Sequence, residues 1–390
     1  MTGPVTAVCQ HRLVDTPVRA ETVVDLDAIR HNVGLLAGLA AGSGAATMTV
    51  VKADGYGHGA VRVARAAVEA GATWLGACSQ AEALALRAAG LTVPVLAWLD
   101  LPTDDRTAGV AAGVDFSASS VAELDMLVRA AGSAGKPARV HLKIDTGMSR
   151  NGCPPADWSD LVEQAVKAQR QGAVDVVAVW SHLACADELN HPSVDDQAER
   201  FAAAYQEAVT AGLTPIRHLA NSAATLTRPD LHFDLVRPGI ATYGLNPVDV
   251  PADLRPAMTF HSSVVGTKRV RAGEAVGYGR TWTAVRDTNL ALVPVGYADG
   301  VPRLLSGRLD VWLADRRRPV VGRVSMDQIV VDCGDDDVAA GEDVILFGPG
   351  TRGEPTAREW ADLLGTIDYE VVTGMHRPRV TRRYVGEPAR

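Results

Sequence analysis

Lys52 has the position and the chemical type of a nucleophilic amine. It closes an apolar, strand-like run, T-M-T-V-V-K-A-D, and opens a glycine-rich turn, G-Y-G-H-G. The chain writes its basic positions almost entirely as arginine, and only five of its 38 Lys+Arg residues are lysine. Arginine keeps its proton near neutral pH, so chemistry that needs a free amine must use lysine. A lysine at the carboxyl end of a buried strand is suited to forming a Schiff base with a carbonyl group. Taken alone, the residue reads more simply as a lysine whose stem lies along the surface and whose ammonium stays in water. Its neighbours decide between the two.

Those neighbours depend on the elements that carry them. From residue 45 to 240, short apolar strands alternate with alanine-rich helical stretches. Eight strands are predicted, at 47–54, 73–78, 93–99, 114–119, 139–145, 174–183, 216–222 and 233–238. A-V-R-V-A-R-A-A-V-E-A has apolar positions at helical spacing, and S-V-A-E-L-D-M-L-V-R-A opens with a Ser cap and a Glu three residues later. Eight strand–helix units predict a (β/α)8 barrel, which builds its site at the carboxyl ends of the strands. Lys52, Trp98, Arg150, His182, Ser222 and Arg237 all fall at or just after the end of a different strand. An open doubly wound sheet is the rival, but G-Y-G-H-G lacks the G-x-G-x-x-G spacing of a dinucleotide fingerprint.

After residue 250, glycine and proline punctuate valine-rich alternation, as in F-H-S-S-V-V-G-T-K-R-V, which predicts a mainly β domain. The expected organisation is an extension at 1–20, a barrel at 21–250 and a β-rich domain at 251–390, with the linker between Pro247 and Pro256. The 390 residues are 47% hydrophobic and carry a net charge of -8, which allows more than one core and gives no reason to expect nucleic acid. No apolar run reaches the ~18 to 20 residues that span a bilayer. Residues 1–20 lack the charged start and apolar middle of a secretory signal, so a cytoplasmic protein is expected. Cys9, Cys78, Cys153, Cys185 and Cys333 are odd in number and scattered, which indicates reduced thiols rather than disulfides or a metal site. Cys185 reads as a small buried filler.

The segment V-V-K-A-D-G-Y-G-H-G resembles the cofactor-lysine motif of alanine racemases, and further matches recur in family order almost to the C-terminus. The resemblance implies a fold type III enzyme that uses pyridoxal 5'-phosphate to interconvert L-alanine and D-alanine for peptidoglycan. It assigns the Schiff base to Lys52 and cofactor phosphate contacts to Tyr56, Ser222, Gly239, Ile240 and Tyr369, with Trp98 and Asn221 also at the cofactor. Hydroxyls and backbone N–H groups are sensible partners for a phosphate dianion, although Ser222 and Gly239 alone would pass for ordinary turn residues. Arg237 matches an arginine that faces the pyridine nitrogen. It donates a hydrogen bond without surrendering its proton, so the ring is expected to be a weakened electron sink.

Racemisation removes a proton from one face of the substrate and returns one to the other. The resemblance gives Lys52 one face and Tyr278, in V-G-Y-G-R-T-W, the opposite face, supplied from the partner subunit of a head-to-tail homodimer. Holding an ordinary tyrosine as phenolate at pH 7 costs ~4 kcal/mol, so a neighbour must help. His182, in S-H-L-A-C-A-D, matches the histidine that links this tyrosine to Arg237; in isolation it would read as a structural histidine. Arg150, in K-I-D-T-G-M-S-R-N-G, matches an arginine at the cofactor's phenolic oxygen that helps bind substrate carboxylate. Met326 and Asp327 match a pair near that carboxylate. Tyr297, Arg303, Arg323, Ile367 and Tyr369 match the lining of the substrate entrance.

In R-V-H-L-K-I-D, Val140, Leu142 and Ile144 alternate with His141, Lys143 and Asp145, so the polar set should face the barrel interior. The family implies a carbamate on Lys143; a neutral amine or a pair with Asp145 fits the residues as well. The tail departs from the family pattern, with Thr373 where many relatives have cysteine. A broader amino-acid racemase, a decarboxylase on the same fold, and a non-catalytic cofactor carrier are the alternatives. The carriers lack the β domain that holds Tyr278.

Overall fold

The computed structural model describes residues 16–386. Cys9 and most of the expected extension at 1–20 lie outside the described residues. The described residues form two compact units, one of Asp25–Ala257 with Val385 and Gly386, the other of residues 16–24 with Met258–Tyr384.

The first strand, β1 (Glu21–Asp25), belongs to the second unit's sheet, and Asp25 then caps the helix Leu26–Gly42 by accepting the Asp27 and Ala28 N–H groups. Eight further strands make the barrel: β2 (Ala46–Val50), β3 (Trp74–Ala77), β4 (Val95–Ala97), β5 (Asp115–Ala118), β6 (Ala138–Lys143), β7 (Val174–Trp180), β8 (Ile216–His218) and β9 (Leu235–Val236). They run parallel in the order β8-β7-β6-β5-β4-β3-β2-β9. The ring closes between its ends, where the Asp234 N–H donates to Arg217 O at 3.2 Å and the Arg237 N–H to Ala220 O at 2.9 Å. This excludes the open doubly wound sheet, and all eight expected strands are present.

Several strands stop earlier than the sequence pattern indicates. The predicted strand 47–54 ends at Val50, because Ala53, Asp54, Gly55 and Tyr56 turn left-handed, with φ of 51°, 53°, 62° and 51°. Glu82 makes this turn possible: its carboxylate accepts the Ala53 N–H at 2.8 Å and the Cys78 N–H at 2.7 Å, replacing ladder bonds at two strand ends. The predicted 216–222 similarly stops at His218, and Asn221 caps a helix, Ser222–Thr227, by accepting the Ala224 N–H.

The helices form as their patterns require. Ala60–Glu69 buries Val63, Ala64, Ala66 and Ala67 and packs beside the helix Leu26–Gly42. Ser120 caps Val121–Ala134 by accepting the Glu123 N–H at 3.2 Å. In β6, Val140 and Leu142 are fully buried on one face, while His141 and Lys143 contact Trp74, Trp180 and His218 on the other. The polar set therefore points into the barrel, as the alternation indicates. Glycine at position 76 leaves room for an indole, since a Cβ there would lie 2.8 Å from Trp98.

The second unit is mainly β. Its nine-stranded sheet has the order Gly266–Val270, Thr288–Val293, Ile329–Gly334, Arg316–Val321, Asp310–Leu313, Asp343–Phe347, Met258–Ser263, β1 and Thr381–Val385. Phe260 and Phe347 of this sheet and Trp360 form a buried aromatic cluster, tilted and edge-on, with ring centroids 5.9 and 5.2 Å apart. Each such aromatic contributes roughly 1.5–3 kcal/mol through burial. His261 bridges three strands, facing Glu21 at 3.0 Å and Asp343 at 2.8 Å. No helix among the described residues is long and apolar enough to cross a membrane.

Candidate active site

Lys52 follows β2 by two residues and is half-buried at the carboxyl end of the barrel. Its Nζ lies 5.8 Å from the centroid of Tyr56 and 5.9 Å from that of Trp98. Burial lowers its basicity, and the charge of Arg150 adds to this against the opposing influence of Cys78 and Glu82. A larger share of the amine is therefore free near neutral pH than for a lysine in water. Arg150 itself is exposed on a loop tied by Asp145, whose Oδ1 accepts the N–H groups of Gly147, Met148 and Ser149. Gly152 closes that loop at φ +133°, where a Cβ would meet Asp145 N at 2.7 Å.

Arg237 follows β9 and is 4% exposed. Its Nη2 donates to Ser181 O at 2.7 Å and Leu219 O at 3.1 Å, and its Nη1 donates to His218 Nδ1 at 3.1 Å. His182 Nδ1 lies 3.4 Å from the same Nη2. None of these partners is a carboxylate, and burial pushes the guanidinium down to about 9. It is still protonated at pH 7. The bonds to Ser181, Leu219 and His218 occupy three of the five N–H hydrogens a guanidinium carries, so donors remain for a ligand. His182 is pushed well below the ordinary histidine range by burial and by Arg237, Arg150, Lys143 and Lys52, which leaves its imidazole neutral. Burial, Arg237 and Arg150 together lower Lys143 to about 7, and its Nζ lies 4.3 Å from the Trp180 ring centroid.

A cradle of donors lies between the Ser222–Thr227 helix and the turn after β9. Ser222 Oγ accepts the Gly239 N–H at 2.8 Å and the Ala241 N–H at 3.3 Å. Both lone pairs of the hydroxyl are thereby engaged, so its own hydrogen is directed at a third acceptor. Tyr56 brings a second hydroxyl close to the same turn: a Cβ on Gly239 would sit 2.4 Å from it. The Tyr56 ring is backed by Tyr243 at 4.8 Å, and Tyr243 Oη is anchored to Val50 O at 2.9 Å. Ile240 follows Gly239 in this buried turn. Two hydroxyls, backbone N–H groups and a capped helix start form a donor set that suits a phosphate.

The barrel unit thus brings together Lys52, Tyr56, Trp98, Arg150, His182, Asn221, Ser222, Arg237, Gly239 and Ile240 at the carboxyl ends of its strands, with Lys143 beneath them. The remaining expected residues lie on the other unit. Tyr278 follows Gly277 in a short turn and is 71% exposed. Tyr297 and Met326 are exposed on two loops locked together by the Tyr297 N–H to Ser325 O and the Ala298 N–H to Met326 O, at 3.1 and 3.0 Å. Only glycine fits at 296, where a Cβ would lie 2.2 Å from Ser325 O. Asp327 pairs with Arg379 at 2.7 Å, and Tyr369 is half-buried in the helix Asp368–Thr373. Arg379 lies in the arginine-rich segment R-P-R-V-T-R-R that follows the helix Asp368–Thr373. Cys185, read as a buried filler, is only partly buried.

Sequence reasoning missed four residues that support the site: Glu82, Asp115, Ser181 and His218. A signal existed for His218, which lies in the same I-R-H-L-A-N-S run as Ser222, and for Glu82, a carboxylate in the first turn of a helix following a strand end. Neither indicates its partner.

Two family descriptions match the chain: alanine racemase, N-terminal domain, over residues 24–247, and alanine racemase, C-terminal domain, over 257–384. Among curated proteins, the alanine racemase of Salinispora arenicola is 55% identical over 95% of this chain and 99% of its own length. That of Thermobifida fusca is 54% identical over 94% of this chain and 98% of its own. Among solved structures, the alanine racemase of D-cycloserine-producing Streptomyces lavendulae superposes with a TM-score of 0.91, at 47% identity over 96% of this chain and 99% of its own. The alanine racemase of Bartonella henselae, solved with covalently bound pyridoxal phosphate, gives 0.84 at 29% identity over 95% of this chain and 100% of its own. With both halves matched and identity above one half along nearly the whole length, the chain belongs to the alanine racemase family.

Proposed function

We propose that this protein interconverts L-alanine and D-alanine using pyridoxal 5'-phosphate, supplying D-alanine for peptidoglycan in the cytoplasm. The observation that carries this reading is the juxtaposition, at one end of the barrel, of an amine of lowered basicity with a donor-only arginine and a cradle of hydroxyl and backbone donors. Lys52 holds the cofactor covalently. Tyr56, Ser222, Gly239, Ile240 and Tyr369 hold its phosphate, with Asn221 orienting the helix start. Arg237 donates to its ring nitrogen, and Trp98, Arg150 and His182 complete its surround. When bound, the cofactor acidifies the bond between the α-carbon and its hydrogen in the attached amino acid.

The chain's own residues then move the proton. Lys52 Nζ takes or gives it on one face and Tyr278 Oη of the partner subunit on the other, in a head-to-tail homodimer with two shared sites. A neutral His182 that turns its Nδ1 lone pair to Arg237 carries its hydrogen on Nε2 and can donate it to the tyrosine oxygen, so it favours the anion by hydrogen bonding rather than by charge. Arg150 and the Met326 N–H bind the substrate carboxylate, while Asp327 and Tyr297 shape a pocket that favours a side chain as small as methyl. The expected barrel at 21–250 is corrected to Asp25–Ala257, because the strand Glu21–Asp25 pairs with Met258–Ser263 in the β-rich unit, which takes up Met258–Tyr384. The test is a chiral assay of L-alanine and L-serine in deuterated water with the yellow, cofactor-loaded protein, together with borohydride trapping. Alanine should racemise with solvent deuterium at its α-carbon, and the trapped residue should be Lys52. Trapping on another amine, or no α-exchange, would leave only a carrier or a different enzyme.

Lys143 is proposed to carry a carbamate. An amine near 7 is about half unprotonated at pH 7, and only that form adds carbon dioxide, losing one proton as the carbamate anion forms. The product offers an anion to Arg150, where the ammonium offers repulsion. Carbamate occupancy should therefore rise as pH increases from about 6 to 8. Labelled bicarbonate should give a 13C carbamate signal that disappears in Lys143→Arg; an unmodified wild-type amine in bicarbonate at pH 8 is the contrary result.

A further inference from the structure

Behind Arg237 a line of buried polar side chains runs the length of the barrel interior. His218 Nδ1 receives the Arg237 Nη1 hydrogen at 3.1 Å, and its Nε2 lies 2.9 Å from His141 Nδ1. His141 Nε2 lies 3.2 Å from Asp115 Oδ2. Asp115, His141 and His218 are all fully buried. Asp115 is the first residue of β5, at the amino-terminal end of the barrel, whereas Arg237 follows β9 at the opposite end. The catalytic chemistry proposed above uses none of these three side chains.

The two ends of this line dictate its direction. Arginine has no acceptor, so His218 must turn a lone pair toward it at Nδ1. A neutral His218 then carries its hydrogen on Nε2 and donates to His141 Nδ1, which must also be a lone pair. His141 consequently carries its hydrogen on Nε2 and donates to Asp115. An ionised carboxylate has no donor, so the order cannot be reversed there either. A second proton on either imidazole would set N–H against N–H. Burial alone would raise Asp115, but the hydrogen bonds from His141 and Arg139 and the charge of Arg139 hold the carboxyl below its ordinary value. Arg139 lies 2.7 Å from Asp115 Oδ1 and is shared with Asp175 at 3.2 Å. Trp74 meets His141 edge-on at 5.5 Å, and Trp180 stacks on His218 at 5.3 Å, so neither ring is free to flip. The charged groups on neighbouring elements, Lys143 and Arg237, both disfavour an imidazolium at His218.

We propose that Asp115, acting through His141 and His218, is a positioning residue for Arg237: its carboxylate fixes both histidines as neutral Nε2–H tautomers, and this is what gives the guanidinium an oriented acceptor. The functional consequence rests on the assignment of Arg237 to the cofactor's ring nitrogen. The tautomers themselves do not.

The test uses protein with 15N-labelled histidine rings, purified with its cofactor, in which long-range proton–nitrogen spectra report which ring nitrogen is protonated. His141 and His218 should both show a protonated Nε2 and a bare Nδ1. In Asp115→Asn the amide oxygen still accepts, so the pattern and the turnover should survive. In Asp115→Leu the acceptor is gone: the tautomers should mix, and kcat should fall about 30-fold with KM nearly unchanged, within the range for outer-shell partners of a site. An Nδ1–H tautomer or an imidazolium at either ring in the wild type overturns the proposal, even if the Leu variant does not fold. So does loss of the pattern in Asp115→Asn. Borohydride trapping of the same sample separates the two readings. Lys52 labelled with the wrong tautomers removes the relay alone, and label on another amine removes the cofactor reading while the tautomers stand.

Discussion

Subunits carrying Lys52→Ala, mixed and reassembled with subunits carrying Tyr278→Phe, should regain about a quarter of wild-type turnover although each is inactive alone. The proportion follows from symmetry. Random pairing makes half of the dimers mixed, and in a head-to-tail pair one of the two sites receives both intact residues while the other receives neither. Each single change removes a positioned proton carrier, a loss on the order of 100- to 10,000-fold. Tyr278 is 71% exposed on its own chain and stands in a turn that only glycine at 277 and 279 permits, with φ of 71° at both. An aromatic hydroxyl held out on a rigid turn is what a subunit would offer to a partner. Size-exclusion chromatography before the assay establishes that mixed dimers formed. If they form and stay inactive, both residues serve a site within one chain and the shared arrangement fails.

Gly239→Ala should weaken retention of the cofactor about 100-fold, a loss of about 2.7 kcal/mol, while leaving the barrel folded. The new methyl carbon would lie 2.4 Å from the Tyr56 hydroxyl, far inside any real contact. That hydroxyl has little room to retreat. Its ring rests against Tyr243, which is held by Val50 O, and its backbone lies in the left-handed turn after Lys52. On the proposed reading the methyl therefore displaces one phosphate donor, the Tyr56 hydroxyl, and crowds the turn that carries the Ile240 N–H. Absorbance titration with pyridoxal phosphate reads the loss directly. Tyr56→Phe in the same chain relieves the clash without restoring the hydroxyl, so it should recover thermal stability but not affinity. Wild-type affinity in Gly239→Ala would mean that the phosphate lies elsewhere.

Much of the site was legible because its residues sit in short local contexts with strong physical signatures. Lys52 stood out because amine chemistry cannot use arginine, and Arg150, His182, Ser222 and Arg237 because each falls at or just after the end of a predicted strand within a motif that resembles one of the family's. The inward set of β6 was legible too, since side chains alternate strictly along a strand. Strand ends were less readable. Nothing in V-V-K-A-D says that Glu82, 29 residues on, will take the Ala53 N–H and let the chain leave the sheet at Val50. The pairing of β1 with Met258–Ser263 joins segments more than 200 residues apart in the chain, and an alternating strand does not name its neighbour.

Periodicity and glycine placement in the sequence alone predicted that a (β/α)8 barrel precedes a β-rich region, and the short motif around Lys52, by its resemblance to alanine racemases, put that amine forward as the reactive one. These are properties of a residue and its near neighbours. The line from Asp115 through His141 and His218 to Arg237 was decided only by the tertiary structure. Its links join residues 26, 77 and 19 positions apart, three on different strands and the fourth just after another, and they meet only when the barrel closes. Hydrogen-bond direction belongs to the assembled set: a histidine in a sequence has two tautomers, and it takes one when a donor on one side and a carboxylate on the other leave no choice.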